Sequence, residues 1–420
     1  MIETHSYADF SRILHVNVNP MRIPANVTIE MTNRCPLECA HCYNNLPMND
    51  AGARRRELTT EEHKSVLDQL AELGTLWVCY SGGEIFARAD FLEIYRYAKE
   101  KGFLITLFTN GTLITERIAD FLAEYRPFDI EITLYGRTKA TYESLTGIPG
   151  SFEKCLRGIR LLLERKLPLK LKTVALTINK HEVKAMKQFA EELGVEFKFD
   201  PMINPRIDCS SSPLAVRLTP ADIVAFDLDD PERVAEWRRL AEDCAPVPPS
   251  DGVRQVYECG GGVNTFALDP YGDMTICVLS HKEGFNVRNG SVREGWEQFL
   301  LNVRQRPVSR VTKCTNCALR AMCGSCAATS ELEAGDAETP VDFLCRTAHL
   351  RAEVFGVDVP PHGECEYCVG GSDRGVIEEM VEKVHSRHSR DFVAETIATA
   401  PVAAAQSGCG TGTCGSCAVR

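Results

Sequence analysis

Cys35, Cys39 and Cys42 stand together in the segment CPLECAHC, so one short loop carries three thiols that can converge on a metal. Three is the informative number. A closed structural site takes four protein ligands, whereas an iron-sulfur cluster held by three cysteines leaves one iron open to a substrate or cofactor. A zinc loop completed by a distant fourth ligand is the rival reading. A second concentration of thiols runs through Cys259, Cys277, Cys314, Cys317, Cys323, Cys326 and Cys345. Its two C-x2-C pairs suit a zinc ribbon and an iron-sulfur site alike.

These loops need elements to hold them. From Asn26 to Asp200 short β-branched runs alternate with amphipathic helical stretches, the pattern of a parallel sheet built from βα units. Six strands are predicted, near residues 27–32, 76–80, 104–109, 130–134, 169–177 and 195–199. Thr59 and Glu62 form a capping-box pattern, and Gly74, Gly102 and Gly194 stand where helices should end. In such α/β folds functional loops gather at the carboxyl ends of the strands, which is where the first cysteine loop falls. The expected division is an N-terminal segment (1–25), a partial barrel (26–202), a bridging region (203–250) with a helix over Pro231–Glu242, a cysteine-dense domain (251–370), and a helix with an Ala, Gly and Cys-rich tail (371–420).

Composition sets limits on function. The net charge of -11 argues against a nucleic-acid binder, which needs a basic surface to displace counterions from phosphates. Met1 to Phe10 lacks an apolar signal core, and no apolar run is long enough to span a membrane. A cytoplasmic protein is therefore expected, and of its 19 cysteines the clustered ones read as metal ligands rather than disulfides.

The C-x3-C-x2-C spacing of Cys35, Cys39 and Cys42 after the first strand resembles the signature of the radical S-adenosylmethionine (SAM) superfamily. The resemblance implies a partial (β/α)6 TIM-like barrel and a four-iron four-sulfur cluster whose open iron chelates SAM. It also implies reductive cleavage to a 5'-deoxyadenosyl radical that abstracts hydrogen. His41 occupies the place of an adenine contact. Ser81, Gly82, Gly83 and Glu84 match the family's GGE motif, in which the carboxylate is expected to accept from the SAM ammonium group. Thr109 and Asn110, in TNG, and Thr133, in TLYG, fall where relatives make ribose and carboxylate contacts. TLYG departs from the SLDG of peptide-modifying relatives by losing an acid.

The later cysteines, with Gly272 between the first two, resemble the SPASM domain of peptide, quinone-cofactor and sulfatase maturases, which carries auxiliary iron-sulfur clusters. The resemblance implies one cluster on Cys314, Cys317, Cys323 and Cys345, and another on Cys259, Cys277 and Cys326. The second set is one ligand short, with Cys244 the nearest upstream candidate. CGSC, at Cys323 to Cys326, is one residue shorter than the family spacing.

Cys79 and Cys155 read as buried packing residues. Cys365 and Cys368 form a further C-x2-C pair, and Cys409, Cys414 and Cys417 lie in the tail. The tail thiols are incidental, or they join Cys365 and Cys368 in a four-thiolate site, or the tail resembles a fused peptide substrate. Hydrogen abstraction from a peptide and formation of a thioether or carbon-carbon crosslink is the expected activity. Expected partners are a peptide substrate, a separate recognition protein and a reductant such as ferredoxin or flavodoxin. Small-molecule modification in cofactor or tetrapyrrole biosynthesis, and a non-catalytic electron carrier or scaffold, are the alternatives. No catalytic base is singled out by spacing.

Overall fold

The computed structural model describes residues 7–242, 244 and 254–387. The chain divides into two compact units. The first, here the barrel unit, comprises residues 13–217 and 260–304; the second, the cysteine-rich unit, comprises the described parts of 1–12, 218–259 and 305–420. These limits differ from the five segments drawn from sequence, because residues 203–217 and 260–304 pack with the barrel.

In the barrel unit six parallel strands follow one another in sheet order: β1 (Asn26–Glu30), β2 (Trp77–Ser81), β3 (Leu104–Thr109), β4 (Asp129–Thr133), β5 (Leu169–Val174) and β6 (Glu196–Asp200). They correspond to the six predicted strands. Helices α1 (Thr60–Glu72), α2 (Phe91–Glu100), α3 (Glu116–Glu124), α4 (Lys139–Thr146), α5 (Ser151–Glu164) and α6 (Val183–Glu192) make the crossovers. Helix α1 begins with a complete Thr59–Glu62 capping box. Helix α2 shows how the crossovers hold: Phe91, Ile94, Tyr95 and Ala98 repeat at helical spacing and are fully buried, and a buried side chain of the larger kind contributes about 1.5–3 kcal/mol.

Residues 260–304 extend the same sheet. Strand β7 (Thr265–Leu268) pairs in parallel with β1, Asn26 opposite Thr265, and β8 (Asp273–Thr275) and β9 (Phe285–Asn286) continue antiparallel. Arg22 secures this extension. Its guanidinium donates to the carbonyls of Gly262 (2.7 Å) and Trp296 (2.6 Å), and the Trp296 indole N–H returns a bond to the Arg22 carbonyl (2.9 Å).

The cysteine-rich unit is mainly helical: α7 (Pro220–Asp229), α8 (Pro231–Glu242), α9 (Ala327–Ala334), α10 (Asp342–Val354) and α11 (Arg374–Arg387). Val224, Leu228, Leu350, Ile377 and Val384 form its core, against which Cys365, Tyr367 and Cys368 pack. Helix α8 spans the predicted residues; α7 was not foreseen. Among the described residues no helix is long and apolar enough to cross a membrane. The tail cysteines Cys409, Cys414 and Cys417 lie outside the described residues.

Candidate metal and cofactor site

The loop after β1 brings Cys35, Cys39 and Cys42 to the carboxyl end of the sheet, close enough that the charge of Cys42 acts on Cys35 and the charges of both act on Cys39. Burial pushes Cys35 up to about 12, with the charge of Glu84 adding to it, and it raises Cys39 and Cys42 as well. Three thiols that resist ionisation beside one another, Cys35 buried and Cys39 and Cys42 partly so, are what a cationic cluster relieves, since metal binding drives off the protons. Among the described residues, His41 Nδ1 is a buried atom with no hydrogen-bond partner, although the His41 side chain is partly exposed. Its burial lowers the imidazole to about 4, so the ring is neutral. The donor set and this unpaired nitrogen fit a cluster with a ligand beside it.

The glycine motif positions this loop by main-chain contact. Gly82 has φ +122, and a Cβ there would lie 2.4 Å from the Thr32 carbonyl oxygen; a Cβ on Gly83 would lie 2.6 Å from the carbonyl oxygens of both Asn33 and Arg34. Only glycine admits that approach. The Gly83 N–H donates to the Thr32 carbonyl (2.6 Å), the Glu84 N–H to the Arg34 carbonyl (3.0 Å) and the Met31 N–H to the Ser81 carbonyl (2.9 Å). The motif thus locks the entry to the cysteine loop.

Glu84 is buried, and burial pushes its carboxyl up to about 7. It accepts from the Thr109 hydroxyl (2.7 and 2.9 Å), the Asn110 N–H (2.8 Å) and the Phe86 N–H (3.2 Å). Its bonds therefore join the β2 and β3 loops. Asn110 in turn donates to Cys35 Sγ (3.5 Å), as does the Leu37 N–H (3.4 Å). Ser81 and Thr133 stand at the carboxyl ends of β2 and β4.

Three residues of this site escape sequence reasoning. Tyr135, in TLYG, bonds to the Cys39 thiol and sets its ring edge-on to His41 at 5.2 Å, giving the departure from SLDG a structural purpose. Arg206 grips the loop from beyond β6, donating to the carbonyls of Cys42 (3.1 Å) and Asn45 (3.0 Å) and to Asn45 Oδ1 (2.8 Å). Glu30, at the end of β1, accepts from the Tyr43 hydroxyl and Asn44 Nδ2, both at 2.8 Å. Burial pushes its carboxyl up to about 7. No local pattern marks any of them.

In the cysteine-rich unit Cys314, Cys317, Cys323 and Cys345 lie near one another: the charges of Cys314 and Cys317 act on Cys323, and that of Cys323 acts on Cys345. Cys244 packs beside Leu319 and Met322, the residues that also contact Cys317 and Cys323. Cys326 caps α9, with the Thr329 N–H donating to its sulfur (3.4 Å). Cys259 and Cys326 belong to this unit and Cys277 to the barrel unit. Cys79 and Cys155 are buried.

Residues 29–190 match the Radical SAM superfamily. PqqA peptide cyclase of Rhodopseudomonas palustris is 28% identical over 376 residues, 84% of this chain and 93% of that protein. AdoMet-dependent heme synthase of Methanosarcina barkeri is 27% identical over 343 residues, 74% of this chain and 94% of that one. Among solved structures, Streptococcus suis SuiB bound to precursor peptide SuiA shares the fold with a TM-score of 0.58 at 15% identity, covering 80% of each chain. Residues 29–190 are thus a radical SAM domain, with SAM and a four-iron four-sulfur cluster as its cofactors, and the chain shares the fold of SuiB and of AdoMet-bound anSMEcpe.

Proposed function

We propose that this enzyme abstracts a hydrogen atom from a peptide and converts the resulting radical into an oxidative crosslink, a thioether or a carbon-carbon bond. The carrying observation is the loop of Cys35, Cys39 and Cys42, clasped by the GGE and TNG loops at the mouth of the sheet. It occurs on a chain that also gathers Cys314, Cys317, Cys323 and Cys345. The likeness to a peptide cyclase and to a structure bound to a precursor peptide supports a peptide as substrate. When bound, the cluster and SAM supply a carbon radical able to take hydrogen from an unactivated C–H bond. The chain's own residues hold the three thiols in place through Asn110, Tyr135 and Arg206, and keep His41 neutral beside them. The auxiliary cysteines are assigned to electron transfer from the substrate radical. The reductant is a cytoplasmic ferredoxin or flavodoxin, and a separate protein presents the peptide.

The likeness to a heme synthase favours a second reading, modification of a tetrapyrrole. Anaerobically reconstituted enzyme, given SAM, dithionite and a short cysteine-bearing peptide encoded beside its gene, is expected to form 5'-deoxyadenosine and a peptide lighter by two hydrogens. An unchanged peptide together with a modified iron porphyrin establishes the second reading. No 5'-deoxyadenosine from a fully iron-loaded sample establishes a non-catalytic role.

A further inference from the structure

His349, His362, Cys365 and Cys368 are each buried, and one ligand atom from each lies within 4.8 Å of all the others. Among the described residues this is the only histidine, cysteine and carboxylate group so tightly gathered. Cys365 Sγ is 3.5 Å and Cys368 Sγ 3.6 Å from His349 Nε2, and Cys368 Sγ is 3.3 Å from His362 Nδ1 and 3.9 Å from its Nε2. Around one tetrahedral zinc ion, with Zn–S about 2.3 Å and Zn–N about 2.0 Å, adjacent sulfur and nitrogen ligands are roughly 3.6 Å apart. The observed separations match those edges.

From this geometry we infer that His349, His362, Cys365 and Cys368 bind a single zinc ion, a structural site that borders the auxiliary-cluster cysteines, with His349 Nδ1 3.7 Å from Cys345 Sγ, and does not share its four ligands with them. The arrangement argues against iron-sulfur ligation by the same four residues. A two-iron cluster with mixed ligands puts both histidines on one iron and both cysteines on the other, whereas here Cys368 is within ligand-edge distance of both imidazoles. Cys365 and Cys368 as plain apolar packers is also the weaker account, because two buried imidazoles aimed at the sulfurs have no place in an apolar core.

The surroundings suit a metal as well. His349 Nδ1 is 2.9 Å from the carbonyl of Cys345, one turn earlier on α10, which fixes the ring and leaves Nε2 toward the thiols. The two cysteines follow in a tight turn, with the Cys368 N–H donating to the Cys365 carbonyl (3.4 Å) and the Gly371 N–H to the Cys368 carbonyl (2.9 Å). A Cβ at Gly371 would lie 2.3 Å from the Glu366 carbonyl oxygen, so the turn is closed tightly around its thiols. The site joins α10 to the segment leading into α11. Through the Cys345 carbonyl it also braces a residue assigned to an auxiliary cluster.

Metal analysis and zinc-edge X-ray absorption on the full chain, purified anaerobically and loaded with iron and sulfide, test this. About one zinc per chain is expected alongside the iron, with two sulfurs at about 2.3 Å and two nitrogens at about 2.0 Å. Cys368→Ser is expected to lose that zinc and retain the iron bound by Cys35, Cys39 and Cys42, read from SAM-dependent changes in the cluster's electron paramagnetic resonance spectrum. A chain without zinc, a zinc shell of four sulfurs, or a Cys368→Ser protein that loses iron and keeps zinc overturns the assignment. The wild-type absorption spectrum decides the matter even where the variant fails to fold.

Discussion

Asn110 donates its side-chain amide to the sulfur of Cys35 at 3.5 Å, while its own N–H is held by the Glu84 carboxyl at 2.8 Å. The TNG and GGE loops therefore meet at a ligand thiol. Asn110→Ala removes the sulfur contact and leaves the main-chain bond. A hydrogen bond to a charged group contributes about 1.5–3 kcal/mol, so 5'-deoxyadenosine formation is expected to fall by roughly tenfold to a hundredfold. Product quantified over time at fixed iron loading checks this; an unchanged rate sets the contact aside.

The two cysteine sets should separate in function. Replacing Cys35, Cys39 and Cys42 together with Ala is expected to abolish SAM cleavage. Cys314→Ala with Cys317→Ala should leave measurable cleavage while blocking the modified product. Parallel chromatography of 5'-deoxyadenosine and mass spectrometry of the peptide separate these outcomes, and retained cleavage in the first variant removes the catalytic assignment.

At Gly83 the constraint is steric. Gly83→Ala puts a methyl group 2.6 Å from two carbonyl oxygens of the strand-to-loop turn. The main chain has to move, at a cost of about 1–3 kcal/mol by analogy with overpacked cores. Urea unfolding of the iron-free chain should show that loss, and iron content after reconstitution should fall because the same turn leads into Cys35.

Arg88 ties Asp90 to the base of the site: it donates to Asp90 at 2.7 Å, to the Leu58 carbonyl at 2.9 Å and to the Met31 carbonyl at 3.3 Å. Partial burial alone would raise Asp90, but the bonds from Arg88 and Thr60 outweigh it and hold the carboxyl at about 2, below its ordinary 3.8. A depressed carboxyl contributes stability above its unfolded pKa and loses it as pH falls through the folded one. Asp90→Asn should therefore cost on the order of 1 kcal/mol at pH 7, allowing for solvent screening, with the gap to wild type closing between pH 3.8 and about 2. Unfolding curves across that range measure it; a gap independent of pH rules out the charged pair as its source.

The six barrel strands and the Thr59 cap are legible in the sequence because each depends on neighbours within a few residues. Helix α8 is legible for the same reason. Helix α7 is harder to read: Ala221, Ile223, Val224, Ala225 and Leu228 are all buried, so no polar face marks its period. Strands β7 to β9 are four residues long or shorter, and β7 is defined by pairing with β1 across most of the chain. The cysteine ligands announce themselves by spacing. Tyr135, Arg206, Glu30 and His349 do not, since only tertiary structure brings them to the thiols, whereas His362 stands three residues before Cys365 and is marked by that spacing.

The pairing of Asn26 with Thr265 has a consequence for biogenesis. The strand that launches the cysteine loop keeps one bare edge until a far later stretch of polypeptide has left the ribosome, and an uncovered edge invites mispairing. Cluster delivery before Thr265 has emerged thus meets a loop still lacking one flank of its sheet, so insertion is expected to follow emergence of that strand, and C-terminal truncations before Thr265 are expected to aggregate.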